Sequence, residues 1–210
     1  MVSTWTDLSA IVLAGGSPKE PLAQHFAVPS KAYAPYQGRA LIDYVLSGLE
    51  SCPAVSDIVV VSPQKEAHGN ANGKPCRAVD SGESLTASLR NGLEQRPFQR
   101  DVLLITADLP FVTGEQLDDF CASAPASDLV YPIFSRGVMR ERFPQFKRTY
   151  VDLKEGAVTG GNALLLRSSA ISKLLPFVEA AYQKRKNPLA LAQMFGWDIV
   201  LQLLLRRASA

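Results

Sequence analysis

The sequence predicts an α/β fold, a doubly wound three-layer α/β/α sandwich around a mostly parallel, mixed sheet. Three apolar runs have the length of buried strands and lie at residues 9–14, 57–62 and 101–106. Each run is continuously apolar instead of alternating with polar residues, which is typical of parallel strands covered by helices on both faces. Helical patterns separate the runs, so right-handed crossovers are expected to join consecutive strands.

Helical periodicity fills the intervals between these strands. Apolar residues fall on one helix face over residues 40–51, and a second helix repeats leucines every four residues from Leu85 to Leu93. Ser84 is placed to cap that second helix. After the third strand, the segment from Thr113 to Gln116 matches a capping box that opens another helix.

From residue 128 onward the chain no longer alternates strand with helix. Loops separate three further predicted strands, at residues 128–134, 147–153 and 162–167. We interpret these strands as an extension of the same sheet, mixed in direction, within a single domain over residues 1–210. Two helical segments complete the prediction, at residues 168–185 and 188–207.

Composition excludes several classes of protein. The 22 Lys and Arg residues against 20 Asp and Glu leave a formal net charge of +2, so nothing indicates nucleic-acid binding. Cys52, Cys76 and Cys121 lie far apart without a C-x-x-C pair, which argues against a zinc or disulfide framework. The sequence shows neither a signal peptide nor an uninterrupted apolar run of about 18 residues. We therefore expect a cytoplasmic protein with no membrane span.

The carboxyl ends of the predicted strands are where ligands collect in open α/β sheets. The first strand ends in two glycines, Gly15 and Gly16, which allow backbone N–H groups to approach an anion. By itself this pair fits a tight turn as well as a phosphate loop. The chain has no G-x-x-x-x-G-K-[ST] and no G-x-G-x-x-G, and no acid follows the second strand, so P-loop kinases and dinucleotide-dependent oxidoreductases are disfavoured.

An acid and a lysine complete the candidate site. Asp108 follows the third strand directly, and because Thr113 is available to cap the next helix, Asp108 has no evident local structural role. A carboxylate facing an anion loop would repel phosphates unless a divalent cation lay between them, and Mg²⁺ binds through one or two carboxylates plus phosphates. Lys31 could neutralise phosphate charge, although a single loop lysine is most often only solvated.

Six short segments follow one another in a definite order along the chain. They are Leu13-Ala14-Gly15-Gly16, Ser30-Lys31-Ala32, Gly38 to Leu46, Gly82-Glu83-Ser84-Leu85, Ala107-Asp108-Leu109-Pro110 and Thr159-Gly160-Gly161-Asn162-Ala163. This order resembles that of the MobA-like NTP transferases, a family of nucleotidyltransferases, and the resemblance runs from about residue 10 to about residue 197. The resemblance implies a Rossmann-like fold of the sugar-nucleotidyltransferase type. It also implies transfer of a nucleoside monophosphate from an NTP to an acceptor, often phosphorylated, with Mg²⁺ and release of pyrophosphate.

The resemblance implies a role for each matching residue. Lys31 and Asp108 would be catalytic, with Asp108 also the ligand of the metal. The residues expected to bind the nucleotide are Leu13, Ala14, Gly15, Gly16, Ser17 and Ser84. The residues expected near the acceptor are Gly160, Gly161 and Asn162. For Ser84, the role of helix N-cap is weighed equally.

Two departures from the family pattern support an alternative function. The interval between the glycines and Lys31 lacks the arginine that the family commonly carries, and Lys19 is the candidate substitute, although its point charge does not reproduce a guanidinium fork. We also expect the domain to lack the usual C-terminal strand, with its second metal aspartate, and the helix that follows. The alternative is a catalytically degenerate nucleotide-binding or scaffolding module.

Two further segments have open interpretations. The charged loop at residues 135–146 holds Arg136, Arg140 and Arg142, which fit either an anionic acceptor or a solvated surface, and the solvated surface is favoured. The helix predicted at residues 188–207 is apolar around most of its circumference. Such a helix is normally buried, and an exposed face would invite either a homodimer or another partner.

Overall fold

A computed structural model describes residues 5–63, 73–97, 99–154 and 156–184 of the chain. The strands within these ranges are β1 (Leu8–Leu13), β2 (Pro35–Tyr36), β3 (Arg39–Ala40), β4 (Val55–Ser62), β5 (Cys76–Asp80), β6 (Val102–Thr106), β7 (Leu129–Val130), β8 (Ile133–Ser135), β9 (Val151–Leu153), β10 (Gly156–Gly160) and β11 (Ala163–Leu166). The α-helices are α1 (Pro21–Phe26), α2 (Leu41–Ser51), α3 (Leu85–Glu94), α4 (Gly114–Ser123), α5 (Arg136–Arg142) and α6 (Ser168–Lys184). The described residues divide into two compact units, with boundaries at 130/131, 161/162 and 172/173.

The first unit is built on a six-stranded sheet of order β5-β4-β1-β6-β11-β7. The first four of these strands are parallel, and β11 runs antiparallel to both β6 and β7. In register, Ile11 of β1 lies opposite Val59 of β4 and Leu104 of β6. The predicted mixed, mostly parallel sheet is therefore confirmed.

Helices cover both faces of this sheet because successive strand residues point to opposite sides. On one face Ala10 and Val12 pack in the main core with Ile42 and Leu49 of α2 and Leu117 of α4. On the other face α3 approaches so closely that a Cβ added at Gly92 would lie 2.7 Å from Val61 Cγ2 and 2.8 Å from Ile11 Cγ2. The layers α2 and α4, sheet, and α3 confirm the predicted sandwich.

The helix starts follow the predicted capping residues. The Ala87 N–H donates to Ser84 Oγ at 3.1 Å at the start of α3. At the start of α4, the Gln116 N–H donates to Thr113 Oγ1, and the Thr113 N–H donates to Gln116 Oε1, both at 3.2 Å. This reciprocal pair is the predicted capping box.

The second unit contains a separate three-stranded antiparallel sheet of order β8-β10-β9. The prediction of one strand over residues 128–134 is wrong, since β7 belongs to the first sheet and β8 to the second. Pro132 lies between them and has no N–H to donate to a strand ladder, so the chain leaves one sheet there and enters the other. The expected extension of the first sheet holds only for β7 and β11.

Other segments also differ from the predictions. The supposed loop at residues 135–146 contains α5, which begins where the Val138 N–H donates to Ser135 Oγ at 3.3 Å. The strand predicted at residues 147–153 spans only Val151–Leu153. Neither β5 nor β10 was predicted, because β5 is an edge strand without an apolar run and β10 is rich in glycine.

The C-terminal predictions are tested only in part. The helix predicted at residues 168–185 is confirmed as α6, Ser168–Lys184. The helix predicted at residues 188–207, and the homodimer expected through it, lie outside the described residues. Within the part of the chain that is described, no helix combines the length and apolarity needed to cross a membrane.

Candidate active site

The chain after β1 is anchored by its own backbone. The Leu13 carbonyl accepts a hydrogen bond from the Ala107 N–H at 3.2 Å, and the Ala14 N–H donates to the Val61 carbonyl at 2.9 Å. The Ala14 carbonyl accepts from Ser30 Oγ at 2.7 Å. Leu13 and Ala14 therefore fix the end of the strand, and their polar backbone groups are largely engaged within the protein.

The next three residues form the glycine loop, Gly15 to Ser17, and leave their N–H groups available. Within the described ranges, none of these three N–H groups donates a hydrogen bond. Gly16 has φ +148°, a conformation that L side chains rarely adopt, so glycine is required there. Successive free backbone donors at the carboxyl end of a central strand form an anion-binding feature.

Lys31 is held beside this loop by two neighbouring residues. It opens a short 3-10 turn, Lys31–Tyr33. The buried Ser30 ties the start of the turn to Ala14 at 2.7 Å, and the Tyr33 hydroxyl is hydrogen-bonded to Ser62 Oγ at the end of β4. The turn that carries Lys31 is thus attached to the ends of both β1 and β4.

Lys31 and Asp108 form an ion pair at the carboxyl end of the sheet. Lys31 Nζ lies 2.7 Å from Asp108 Oδ2, and 42% of the lysine side chain and 22% of the aspartate side chain are exposed. Burial would lower the pKa of Lys31, but the hydrogen bond and charge of Asp108, with the charge of Glu20, raise it above its ordinary value. Burial is the largest single effect on Asp108 and would raise its pKa, but the hydrogen bonds from Lys31 and Thr106, the charge of Lys31 and a backbone hydrogen bond together lower it. Both groups are charged at neutral pH.

The second oxygen of Asp108 makes the site suitable for a divalent cation. Asp108 Oδ1 and the nearby Thr106 Oγ1 are buried, and neither has a hydrogen bond of ordinary geometry within the described residues. The Thr106 hydroxyl nevertheless contributes to the lowered pKa of Asp108. An ionised carboxylate with an unsatisfied oxygen beside a phosphate-type loop fits Mg²⁺, which takes one or two carboxylates and completes its shell with phosphates and water. The described residues contain no cluster of three or more His, Cys, Asp or Glu side chains that would hold a metal without a substrate.

Ser84 has a clear structural role. Its hydroxyl accepts from the Ala87 N–H as the N-cap of α3 and lies 2.9 Å from Thr86 Oγ1. A Cβ added at Gly82 would lie 2.8 Å from the Ala87 backbone carbon, so this glycine allows the chain to approach the helix start closely. These contacts account for the Gly-Glu-Ser segment by capping, and a contact of Ser84 with the nucleobase stays a prediction.

The residues expected near an acceptor are divided between the two units. Gly160 and Gly161 belong to the second unit and Asn162 to the first. A Cβ at Gly160 would lie 2.7 Å from Tyr131 Cζ, and Tyr131 Oη donates to the Gly161 carbonyl at 2.9 Å. A Cβ at Gly161 would lie 2.9 Å from Pro132 Cγ. Packing against Tyr131 and Pro132 therefore explains both glycines without a ligand.

Asn162 immediately precedes β11, the strand that pairs with β6, and therefore lies beside the end of β6 in the first sheet. Its backbone carbonyl accepts from the Thr106 N–H at 3.0 Å, two residues before Asp108. Its side-chain amide makes no hydrogen bond within the described ranges, so both its donor and its acceptor are available to a ligand. Packing therefore accounts for Gly160 and Gly161, and Asn162 is the acceptor candidate that packing does not explain.

The arginines of the predicted basic loop lie in α5. Arg136 is 4.0 Å from Asp152 and stacks 4.7 Å from the centre of the Tyr150 ring, so its charge is already partly compensated. Arg140 and Arg142 are exposed. Neither the acceptor role nor the solvated role of this segment is tested by these contacts.

One charged residue beside the glycine loop was not among the residues predicted from the sequence. Glu20, which precedes α1, places its carboxylate beside the glycine loop, where Oε1 lies 3.4 Å from the position of a Gly16 Cβ. The sequence did show Glu20 as an acid within the interval where the family commonly carries an arginine. It did not show that the backbone of this interval brings the Glu20 carboxylate to the glycine loop.

The free N–H groups, the charged pair and the mixed α/β sheet place the chain in the class of open α/β proteins, whose ligands bind at the carboxyl edge of the central strands. A comparison with family models specifies this class further. Residues 10–194 match the MobA-like NTP transferase domain, and the chain belongs to this family of nucleotidyltransferases. The predicted family is thereby confirmed.

Individual relatives agree with this assignment. A solved structure described as a hypothetical transferase from Thermus thermophilus is 40% identical, with a TM-score of 0.82 over 97% of this chain and 84% of that one. Phosphoenolpyruvate guanylyltransferase of Sphaerobacter thermophilus is 30% identical over 41% of this chain and 43% of its own length. 2-C-methyl-D-erythritol 4-phosphate cytidylyltransferase of Clostridium botulinum is 29% identical over 53% of this chain and 51% of its own length. The chain thus spans about half the length of these two curated relatives.

Proposed function

We propose that this chain transfers a nucleoside monophosphate from an NTP to a phosphorylated small molecule, with Mg²⁺ and release of pyrophosphate. The observation that carries the proposal is the adjacency of three free backbone donors, Gly15 to Ser17, to the Lys31–Asp108 pair. The curated relatives support the acceptor class, because both names describe transfer of a nucleotide to a phosphorylated compound.

The chain supplies binding and charge stabilisation to this reaction. An acceptor phosphate oxygen attacks the α-phosphorus of the NTP and forms a new P–O bond. The bond from that phosphorus to the oxygen bridging the α- and β-phosphates breaks, and pyrophosphate leaves. The N–H groups of the glycine loop hold the phosphates, and Lys31 stabilises the negative charge that develops at the α-phosphate.

Asp108 holds the cation in this proposal. Mg²⁺ bound at its free Oδ1 would supply further neutralisation of the phosphate charges. Because Lys31 is paired with Asp108 in the structure, binding of the metal and the nucleotide gives each of these two residues a new partner. Asn162, whose amide is uncommitted, is the side chain proposed to contact the acceptor.

The experiment is a screen for pyrophosphate release with each of the four NTPs and pools of sugar phosphates, alditol phosphates and phosphorylated carboxylic acids. We expect one NTP and acceptor pair to give stoichiometric pyrophosphate and a nucleotidyl product of the corresponding mass. The Asp108→Asn variant should lose turnover by about a hundredfold or more, since a charge that stabilises the transition state is removed. Asp119→Asn removes the same charge from the exposed face of α4 and serves as the matched control.

A degenerate nucleotide-binding module is the second candidate. It is favoured by the missing arginine and by the absence of a multi-carboxylate cluster within the described residues. NTP binding by calorimetry without turnover of any acceptor would support this candidate against the transferase. If no NTP binds in the presence of Mg²⁺, both candidates are wrong.

A further inference from the structure

The carboxylate of Glu20 is fixed beside the glycine loop. The Glu20 N–H donates to the Ser17 carbonyl at 3.0 Å, and its carbonyl accepts from the Gln24 N–H at 2.9 Å in the first turn of α1. Both ends of the residue are therefore held by the backbone. The side chain is half-buried, with Oε1 3.4 Å from the position of a Gly16 Cβ.

Ordinary structural roles do not account for this carboxylate. Glu20 is the N-cap residue of α1, but its side chain makes no capping hydrogen bond. Among the described residues, it also makes no other hydrogen bond and no ion pair within 4.0 Å. Its charge acts on Lys31, where it is one of the causes of the raised pKa.

The charges around the glycine loop are unfavourable for a bare phosphate. Lys31 contributes one positive charge, and Asp108 and Glu20 contribute two negative charges, whereas the neighbouring Lys19 is exposed and its charge is screened by solvent. A polyphosphate that approaches the loop therefore meets a net negative group of side chains. A divalent cation would reverse the sign of that sum, so the cation and the phosphates should bind together and not separately.

We propose that Glu20 makes nucleotide binding depend on the divalent cation, because its carboxylate opposes free NTP at the glycine loop and favours the metal-bound nucleotide. This inference rests on the proposed function. It assigns to Glu20 an electrostatic role at the glycine loop and leaves the proposed coordination of the cation to Asp108. An uncharged residue at position 20 would let free NTP bind more tightly and the metal complex more weakly.

The test compares Kd values for GTP and CTP, measured by calorimetry with excess Mg²⁺ and with EDTA. The ratio of the metal-free Kd to the Mg²⁺ Kd measures how far binding depends on the cation. In Glu20→Gln we expect this ratio to fall at least about fivefold, as expected for one partly solvated charge several ångströms away. Glu20→Asp keeps the charge and should retain most of the wild-type ratio.

The matched control is Glu94→Gln, which removes the same charge from the exposed last residue of α3. The helix starts at the carboxyl edge of the sheet, and its ten residues extend about 15 Å toward the opposite edge. An unchanged ratio in Glu20→Gln would overturn the inference, and so would an equal fall in Glu94→Gln. Failure of the wild type to bind any of the four NTPs, GTP and CTP included, with or without Mg²⁺ would instead reject the proposed function.

Discussion

Replacement of Gly16 by alanine tests whether the glycine loop binds the nucleotide. Gly16 has φ +148°, whereas Gly15 is not among the residues with positive φ. A Cβ at Gly16 would meet Glu20 Oε1 and Ser30 Cβ at 3.4 Å, which is ordinary contact, so space is available for a methyl group. The penalty of Gly16→Ala is therefore one of backbone conformation.

The expected loss of nucleotide affinity follows from the backbone conformation of Gly16. Holding a non-glycine residue in such a region costs about 1–3 kcal/mol, and the loop can avoid the cost only by giving up the arrangement of its N–H groups. At about 1.4 kcal/mol for each factor of ten, this cost corresponds to a rise of about 5- to 150-fold in the Kd of the Mg²⁺–NTP complex. Because the loop relaxes locally, the free energy of unfolding should fall by no more than the strain itself.

The assay is calorimetry with GTP and CTP in Mg²⁺, combined with urea denaturation of each variant. The matched control is Gly156→Ala, which places a methyl group at another positive φ, +123°, with nothing within 4 Å among the described residues and outside the glycine loop. We expect the Kd of this control to stay within a few-fold of the wild type. Wild-type affinity in Gly16→Ala, or equal losses in both variants, would refute the assignment of the loop.

Three further outcomes are expected. In Ser84→Ala, loss of the helix cap should lower the free energy of unfolding, measured in urea, by about 0.5–2 kcal/mol, whereas Ser84→Gly should lower it by only about a few tenths of a kcal/mol. An equal rise of the NTP Kd in both variants would indicate that Ser84 contacts the nucleobase. Gly114→Ala should destabilise the protein by about 1–3 kcal/mol, because the added Cβ would lie 2.8 Å from the backbone carbon of the last residue of α2. Gly137→Ala is the control and should not destabilise the protein, since its nearest contact lies at 3.8 Å, and equal urea midpoints for the two variants would contradict this prediction. The Lys31–Asp108 pair should add up to about 1 kcal/mol at neutral pH. This contribution should be lost as the pH falls through the pKa of Asp108, which lies below 3.8, and as the pH rises through the pKa of Lys31, which lies above 10.5. The measurement is the difference in free energy of unfolding between the wild type and Lys31→Met. A difference that stays constant across both pH limits would contradict the prediction.

Segments with strong local signals were predicted well. The apolar runs of β1, β4 and β6 and the caps at Ser84 and Thr113 all lie where the sequence places them. Such features depend on a few adjacent residues, so neighbouring side chains are sufficient to indicate them. Segments with weaker local patterns were not predicted. One of them is β5, which is an edge strand and therefore requires no apolar run.

The candidate site was predictable only as a set of separate motifs. The glycine loop, Lys31 and Asp108 were identified from their order along the chain, and the family match confirms the resemblance on which that order rested. Their roles in catalysis stay predictions. The two glycines of the acceptor segment illustrate the difficulty, because Tyr131 and Pro132 explain them by packing that a linear sequence does not display.

The sequence by itself determined the class of fold and the family, because strand periodicity and motif order are properties of contiguous residues. It also predicted the carboxyl edge of the sheet as the place for chemistry. The tertiary structure alone decided three other matters. It paired Lys31 with Asp108, placed Glu20 beside Gly16, and moved the chain from one sheet to another at Pro132. Each depends on crossovers and packing between segments distant along the chain, and no local pattern specifies those distances.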